Sequence, residues 1–599
     1  MSEAEKKIPR RDEIDPKYLW NLADIFPTQD AWEAAFHKVE EETAAFARLE
    51  GHVAENPREA IRSWYRLGDE ITPVYDYAFL AKEADNGDQN AQAMTDRARG
   101  LYVRLMSAGA FLEPELLEMP EADLLAVQND PDMSDYSEFV RRLLLQKPHT
   151  LTKGEEAILA QMGEIVQGPD AIFSMLTAVD MKFPDMVLPD GTTEPLTEGT
   201  FSQYREALDR DVRKQSFEHI FHTYGSYGNT ISSIYSTAVK SDVVLSSVRH
   251  YASARQAAME PLEIPEVVYD NLISVMHESL PILDRYLELR KKAMGVDELH
   301  MYDLYAPIVS DYEMNLPFEK AFQLVLDGLK PMGEDYLDKL REAHDHRWMD
   351  VYPTLHKSSG AFSSGSLADV HPYVLLNHND NLDSAFTIAH ELGHSMHSYY
   401  SNTHQPSPKR DYSLFVAEVA STCNEAVMMR YLLTQFPEKK AQAFLLNHFL
   451  EQFRTTCFRQ TMFAEFEKIV HDMAQKGQPL TQDTLNQVYL ELNKTYYGRV
   501  CDVDDFIKYE WMRIPHFYRA FYVYVYATGL CAAISLSEKI LTEGERAVKD
   551  YRKFLSAGCS VPPIEALKLA GIDMSSPEPL REAMKVFSET LDRFEEAIS

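Results

Sequence analysis

Helical periodicity fills almost all of this 599-residue chain, and two stretches break it. That pattern leaves little sequence for a large sheet and predicts a mainly α body. In DAWEAAFHKVEEETAAFARL, 30–49, Asp30 is placed to cap the first turn. Trp32, Ala35, Phe36, Val39, Ala44, Phe46 and Leu49 then fall roughly along one stripe. Similar patterns recur near 57–69, 91–118 and 153–167, with no fixed period that would make them repeats. The first break lies at 177–201, where Pro189-Asp190-Gly191 separates two short β-prone runs and predicts a hairpin. A boundary near 200 divides an N-terminal helical region, 1–200, from a second region, 201–599, whose helical patterning resumes at 202–224. The second break is KSSGAFSSGSLADVHPYVLLNHNDN, 357–381. Gly360 and Gly365 punctuate a small-residue loop there, and HPYVLLN reads as a short strand. A phosphate-binding loop is excluded, because Ser366 and Leu367 stand where it needs Lys and Ser/Thr.

Charge narrows the functions open to such a body. With 59 Lys and Arg against 94 Asp and Glu, the formal charge is −35. Nucleic acids and anionic membrane faces both require clustered cations, so neither is expected as a partner. The first twenty residues have no apolar core, which argues against a secretory signal. The longest uncharged apolar run, 520–537, is rich in Tyr, contains Gly529 and is flanked by Arg519 and Glu538, so it reads as a buried element rather than a membrane span. The five cysteines, Cys423, Cys457, Cys501, Cys531 and Cys559, form no CxxC pair and are odd in number. They fit reduced thiols, and a cytoplasmic location is expected.

The stretch AFTIAHELGHSMHSYY, 385–400, carries the chemistry. On a helix capped at Asp383, His390 and His394 project from one face a turn apart, where two imidazoles share a metal ion. Glu391 follows the first histidine, placed to flank the metal and take a proton from an activated water. Gly393 weakens the helix by about 1 kcal/mol against Ala, and its lack of a side chain admits another backbone or a substrate. His397 is also near this face. A metzincin would need Gly at 397 and His at 400, and this chain has His397 and Tyr400. His397 is therefore read as a packing or supporting residue. A catalytic zinc needs a third protein ligand. In SLFVAEVASTCNEAVMMRYLL, 413–433, Glu418 sits among apolar neighbours and Glu425 lies seven positions later on the same face. Spacing alone does not choose between them, nor between either and a salt bridge.

AHELGHSMHS followed by FVAEVASTCNE resembles the oligoendopeptidase F branch of the thimet-oligopeptidase-like zinc peptidases. GAFSSGS, HPYVLLN, IPHFYRAFYVYVYATG and LDRDVRKQSFEHIFHTYGSYGN match it too, so the resemblance runs from about 115 to the C-terminus. It implies one Zn2+ per chain held by His390, His394 and Glu418, with Glu391 as the catalytic carboxylate and Glu425 supporting the ligands. It also implies an elongated multi-helix zincin-like body, with a deep substrate channel and a small β element beside the active-site helix. Such a channel admits oligopeptides and excludes folded proteins. Residues 201–599 become the catalytic metallopeptidase domain. The family places a His and Tyr cluster near HFYRAFYVYVYATG. His516 matches its histidine, and Tyr522, Tyr524 and Tyr526 are candidates for stabilising the oxyanion. FYVYVY alternates like a strand; the resemblance and the helical neighbours favour a helix, with Tyr518, Tyr522 and Tyr526 on one face.

The expected activity is zinc-dependent cleavage of internal bonds in short oligopeptides, with HPYVLLN pairing with the substrate backbone. An exopeptidase of the same metal chemistry would need a charged anchor for a substrate terminus, and none is evident. A non-catalytic peptide-binding protein with a structural metal is disfavoured by Glu391 and by the lack of a Cys pair near the motif. The oligomeric state is not legible.

Overall fold

The computed structural model describes residues 8–309, 312 and 314–599. The chain forms two compact units, each assembled from three separate stretches: Met1–Pro148, Glu313–Leu432 and Leu536–Ile572 in one, His149–Tyr312, Leu433–Ser535 and Asp573–Ser599 in the other.

The first unit opens with the helices Gln29–Phe46, Pro57–Ala84 and Gln89–Gly109. The first of these is capped by the Thr28 hydroxyl, which accepts from the Ala31 amide at 3.2 Å, rather than by Asp30 two residues on. Trp32, Phe36, Val39 and Phe46 are buried as their spacing requires, and pack on Leu67 and Leu101 from the next two helices. Ala44 is exposed. The unit's small sheet has three strands, Met349–Asp350, Phe362–Ser364 and Tyr373–Leu375. The last is central, parallel to the first (Met349 opposite Val374) and antiparallel to the second (Ser363 opposite Val374). HPYVLLN thus does contain a strand. Both its edges are already paired, so the expectation that it adds to a substrate backbone does not hold for this strand. Two long helices follow, Leu382–His404 and Leu414–Gln435. The first begins one residue before Asp383, because Asn381 caps it by accepting from the Ser384 amide at 2.8 Å.

The second unit is also mainly helical. Its hairpin, Met186–Val187 paired antiparallel with Thr193–Glu194, turns at Gly191, whose φ of 84° needs a residue without Cβ. Leu299–His300 and Cys501–Asp502 make a short parallel pair. The tyrosine-rich block is not one continuous helix. A 3-10 turn spans Pro515–Tyr518, and the helix Tyr524–Glu543 begins only after Phe521, held left-handed at φ 53°. Tyr518 and Tyr522 therefore lie before the helix that carries Tyr526. The cause is tertiary: the buried Glu467 accepts the Phe521 amide at 3.0 Å and fixes the break. Among the described residues no helix is long and apolar enough to cross a membrane, and all five cysteines are free thiols.

Candidate metal centre and active site

Two helices of the first unit cross at a single small residue. A Cβ on Gly393 would stand 2.5 Å from Ser421 Cα and 2.7 Å from the Ala420 carbonyl oxygen. Only glycine permits so close an approach, and it is the second backbone anticipated from the sequence that takes the space. Asn424 ties the crossing, donating to the Ala389 carbonyl at 3.0 Å while accepting from the Tyr336 hydroxyl at 2.9 Å.

The crossing brings Glu418 to the two histidines. His390 Nε2 and His394 Nε2 lie 3.1 Å apart, and Glu418 Oε2 lies 3.3 Å from the first and 3.4 Å from the second. Ser421 steadies that carboxylate, donating to Glu418 Oε2 at 3.1 Å. Three atoms bound tetrahedrally at about 2.0–2.1 Å from one centre are separated by roughly 3.3 Å. The observed triangle has that size, and its donors, two imidazoles and a carboxylate, are those zinc takes. His390 Nδ1 donates to Glu425 Oε1 at 2.5 Å. That bond leaves Nε2 toward the shared centre. The two candidate glutamates thus divide the work, one at each nitrogen of His390.

Electrostatics follows from this crowding. Burial would lower the His390 imidazole, but Glu418 and Glu425 outweigh it and hold it up at about 10 in the metal-free chain. A divalent cation held at Nε2 would take the place of that proton. Glu418 is held well below the usual carboxylate range, since the two imidazoles overcome its burial. Glu391 is 7% exposed. Burial pushes its carboxyl above the ordinary value against the pull of His390 and His394, which suits a proton acceptor. The Ser395 hydroxyl donates to the Glu391 carbonyl at 2.9 Å and meets Ser363 Oγ at 2.8 Å, tying the sheet to the helix. His397 stays out of the triangle. Its ring stacks on Tyr412 at 3.7 Å between centroids, and burial followed by the neighbouring His394 pushes its pKa down to about 3, so it is a neutral packing residue.

The second unit gathers three of the four remaining candidates. The His516 ring lies 6.3 Å from Tyr522 and 6.0 Å from Tyr526, and those two tyrosines are 5.3 Å apart. His516 is exposed and the two tyrosines half-buried. Partial desolvation by the surrounding protein, then Arg459 and Arg519, lower the imidazole's pKa although the ring stays open to solvent. Tyr524 is separated from them. It is 1% exposed and packs its ring 5.0 Å from Tyr269. Sequence reasoning missed Ser421, Asn424 and Glu467. The signal available for the first two was their polarity inside the otherwise apolar helix Leu414–Gln435.

Two imidazoles a turn apart, a carboxylate from a crossing helix and a buried glutamate beside them are the groups that a metal-dependent hydrolase needs. Residues 203–586 match Peptidase family M3, and residues 115–183 match Oligopeptidase F. Oligopeptidase PepF of Bacillus subtilis is 43% identical, over 100% of this chain and 90% of its own length. Group B oligopeptidase PepB of Streptococcus agalactiae is 37% identical over 98% of each. Among solved structures, a peptidase from Chlamydophila abortus superposes with TM-score 0.93 at 31% identity, covering 99% of this chain and 100% of that one. An oligoendopeptidase-F from Enterococcus faecium gives 0.74 at 33%, covering 95% and 99%. The chain belongs to peptidase family M3, in its oligoendopeptidase F branch. Its activity is that of a metal-dependent peptidase acting on oligopeptides.

Proposed function

We propose that the chain is a zinc-dependent endopeptidase that cuts internal bonds of short oligopeptides, with His390, His394 and Glu418 holding one ion and Glu391 as general base. The observation that carries this is the triangle of ligand atoms, 3.1, 3.3 and 3.4 Å on its sides. Bound there, zinc supplies Lewis-acid chemistry, polarising the scissile carbonyl and acidifying water. Glu391 takes the proton from the attacking water and passes it to the nitrogen of the leaving amine. Glu425 keeps the His390 ring oriented through Nδ1. His516, with Tyr522 and Tyr526, is the proposed source of hydrogen bonds to the substrate oxyanion. Tyr524 is the weakest of the tyrosine candidates, because its ring is packed inside the fold. The catalytic region is proposed as 201–599, supported by the family match at 203–586. A cytoplasmic place of action is supported by the five free thiols.

The test is Glu391→Gln assayed on an internally quenched peptide blocked at both ends. The variant should keep its metal and lose about 10²–10⁴-fold in kcat. Near-normal turnover with bound metal would remove Glu391 from the proton transfer. Failure of the wild type on blocked peptides, with activity on free-ended ones, would favour the exopeptidase.

A further inference from the structure

A semi-enclosed cavity of about 40 Å³ lies within the second unit, lined by parts of the helices Glu198–Arg205, Arg210–Ser226 and Arg459–Gln475 and the 3-10 segment Asp505–Arg513. It has room for one to about three water-sized particles. Its lining combines aromatic side chains such as Phe201 and Phe217 with five arginines, Arg205, Arg213, Arg454, Arg459 and Arg513. Glu510 is the one carboxylate among the described residues that line it.

The surrounding carboxylates are already shared. Asp303 serves both Arg210, at 2.7 Å, and Arg213, at 2.9 Å. Glu451 serves both Arg290, at 3.2 Å, and Arg454, at 2.6 Å. Glu510 and Glu198 hold Arg459 and Arg513 at 2.7 and 2.6 Å. Among the described residues, the carboxylate paired with Arg205 is that of the exposed Glu206, 3.9 Å from its Nε. Guanidiniums therefore outnumber the carboxylates that pair with them. The Nε–H groups of Arg205 and Arg213 are buried with no acceptor among the described residues, and Arg213 is 3% exposed. Leaving such charged donors unmatched is unfavourable. The Arg205 and Arg454 guanidiniums lie 4.0 and 4.6 Å from the centre of the Tyr305 ring. Burial would raise the Tyr305 phenol, but Arg459, Arg454 and Arg205 outweigh it and draw it down, which marks a positive potential at this wall.

We propose that the cavity is a binding site for one small monovalent anion of halide size, with the Nε–H groups of Arg205 and Arg213 as its donors. One negative charge offsets the surplus at Arg205, and the small volume favours an ion of one or a few atoms. Weakly hydrated guanidiniums beside apolar walls suit such an ion. Ile507, Glu510 and Arg513 all come from the Asp505–Arg513 segment, which leads into the Pro515–Tyr518 turn bearing His516. The ion would brace that segment.

The experiment compares thermal midpoints in sodium chloride or bromide with those in sodium gluconate at constant ionic strength, for wild type and Arg205→Met. Wild type should gain about 1–3 °C between roughly 1 and 100 mM halide, and the variant should gain nothing. Crystals of the wild type soaked in bromide should show an anomalous peak between Arg205 and Arg213. An equal halide effect in both proteins overturns the proposal, and so does a bromide map without that peak. The map decides alone if Arg205→Met does not fold.

Discussion

Replacing Gly393 by Ala puts a methyl group where the helices Leu382–His404 and Leu414–Gln435 touch. The new Cβ would stand 2.5 Å from Ser421 Cα and 2.8 Å from its nitrogen. Carbon atoms in contact prefer about 3.5–4.0 Å, so the second helix has to retreat by roughly 1 Å. Overpacking of this kind costs about 1–3 kcal/mol, and the better helix propensity of Ala returns about 1 kcal/mol. The net loss of stability is therefore between zero and about 2 kcal/mol. The metal group is hit harder. Glu418 lies one turn before Ser421 on the retreating helix and is oriented by the Ser421 hydroxyl. A shift of that size takes Glu418 Oε2 from 3.3 and 3.4 Å of the imidazole nitrogens to about 4.3 Å, beyond the roughly 3.3 Å that a tetrahedral centre spans. Zinc affinity should fall about 10–100-fold, and kcat/KM on a quenched peptide about 100-fold. Competition with a chromophoric chelator gives the affinity, and thermal melting in EDTA gives the packing cost separately. Zinc bound as tightly as in wild type would show that the crossing at Gly393 does not set the third ligand.

The other predictions concern single groups. Glu418→Ala should lose zinc as read by metal analysis after dialysis; full occupancy would move the third ligand to Glu425. Glu425→Gln removes the charged partner of His390 Nδ1 and should weaken zinc about 10–100-fold while leaving the fold intact by circular dichroism. Tyr524→Phe should leave kcat within about 2-fold, whereas Tyr522→Phe or Tyr526→Phe should lower it about 10-fold or more; the reverse order would reject the surface cluster. Asp76, buried with the Ser366 hydroxyl as its partner, is pushed up to about 6 by burial. The folded chain then binds more protons than the unfolded one between about pH 4 and 6, so this group's contribution falls as pH rises through that window. Above it the cost is about 3 kcal/mol. Asp76→Asn should raise the thermal midpoint at pH 8 and approach wild type near pH 4; a constant difference would contradict this.

The parts legible in the sequence were those governed by local spacing. Four-residue separation put His390 and His394 on one face; His397 shares that face two turns beyond His390, where its ring meets Tyr412 and Phe554 instead. Pro189-Asp190-Gly191 gave a hairpin because Gly191 must adopt a positive φ. The division of labour between Glu418 and Glu425 was hidden, since both lie on one face and only the depth of the helix crossing decides which nitrogen of His390 each meets. The tyrosine block misled for the same reason. Its pattern does not record that Glu467, more than fifty positions upstream, captures the Phe521 amide and delays the helix to Tyr524. HPYVLLN reads as a strand by composition, but its two partners have only two and three residues each and carry no such signal.

The interleaving of the two units sets an order of assembly. All three atoms of the metal triangle come from 390–418, inside the single stretch Glu313–Leu432. That stretch can draw its ligands together as soon as it is made, with little loop entropy to overcome. Completion is different. Joining Leu536–Ile572 to the first unit closes a loop of about a hundred residues, an entropic cost of about 4 kcal/mol, and the second unit waits in the same way for Asp573–Ser599. The pair of helices bearing His390, His394 and Glu418 is therefore expected to assemble early and both units to close late. A chain stalled before 536 would present His390, His394 and Glu418 on a body whose cores are still open to solvent.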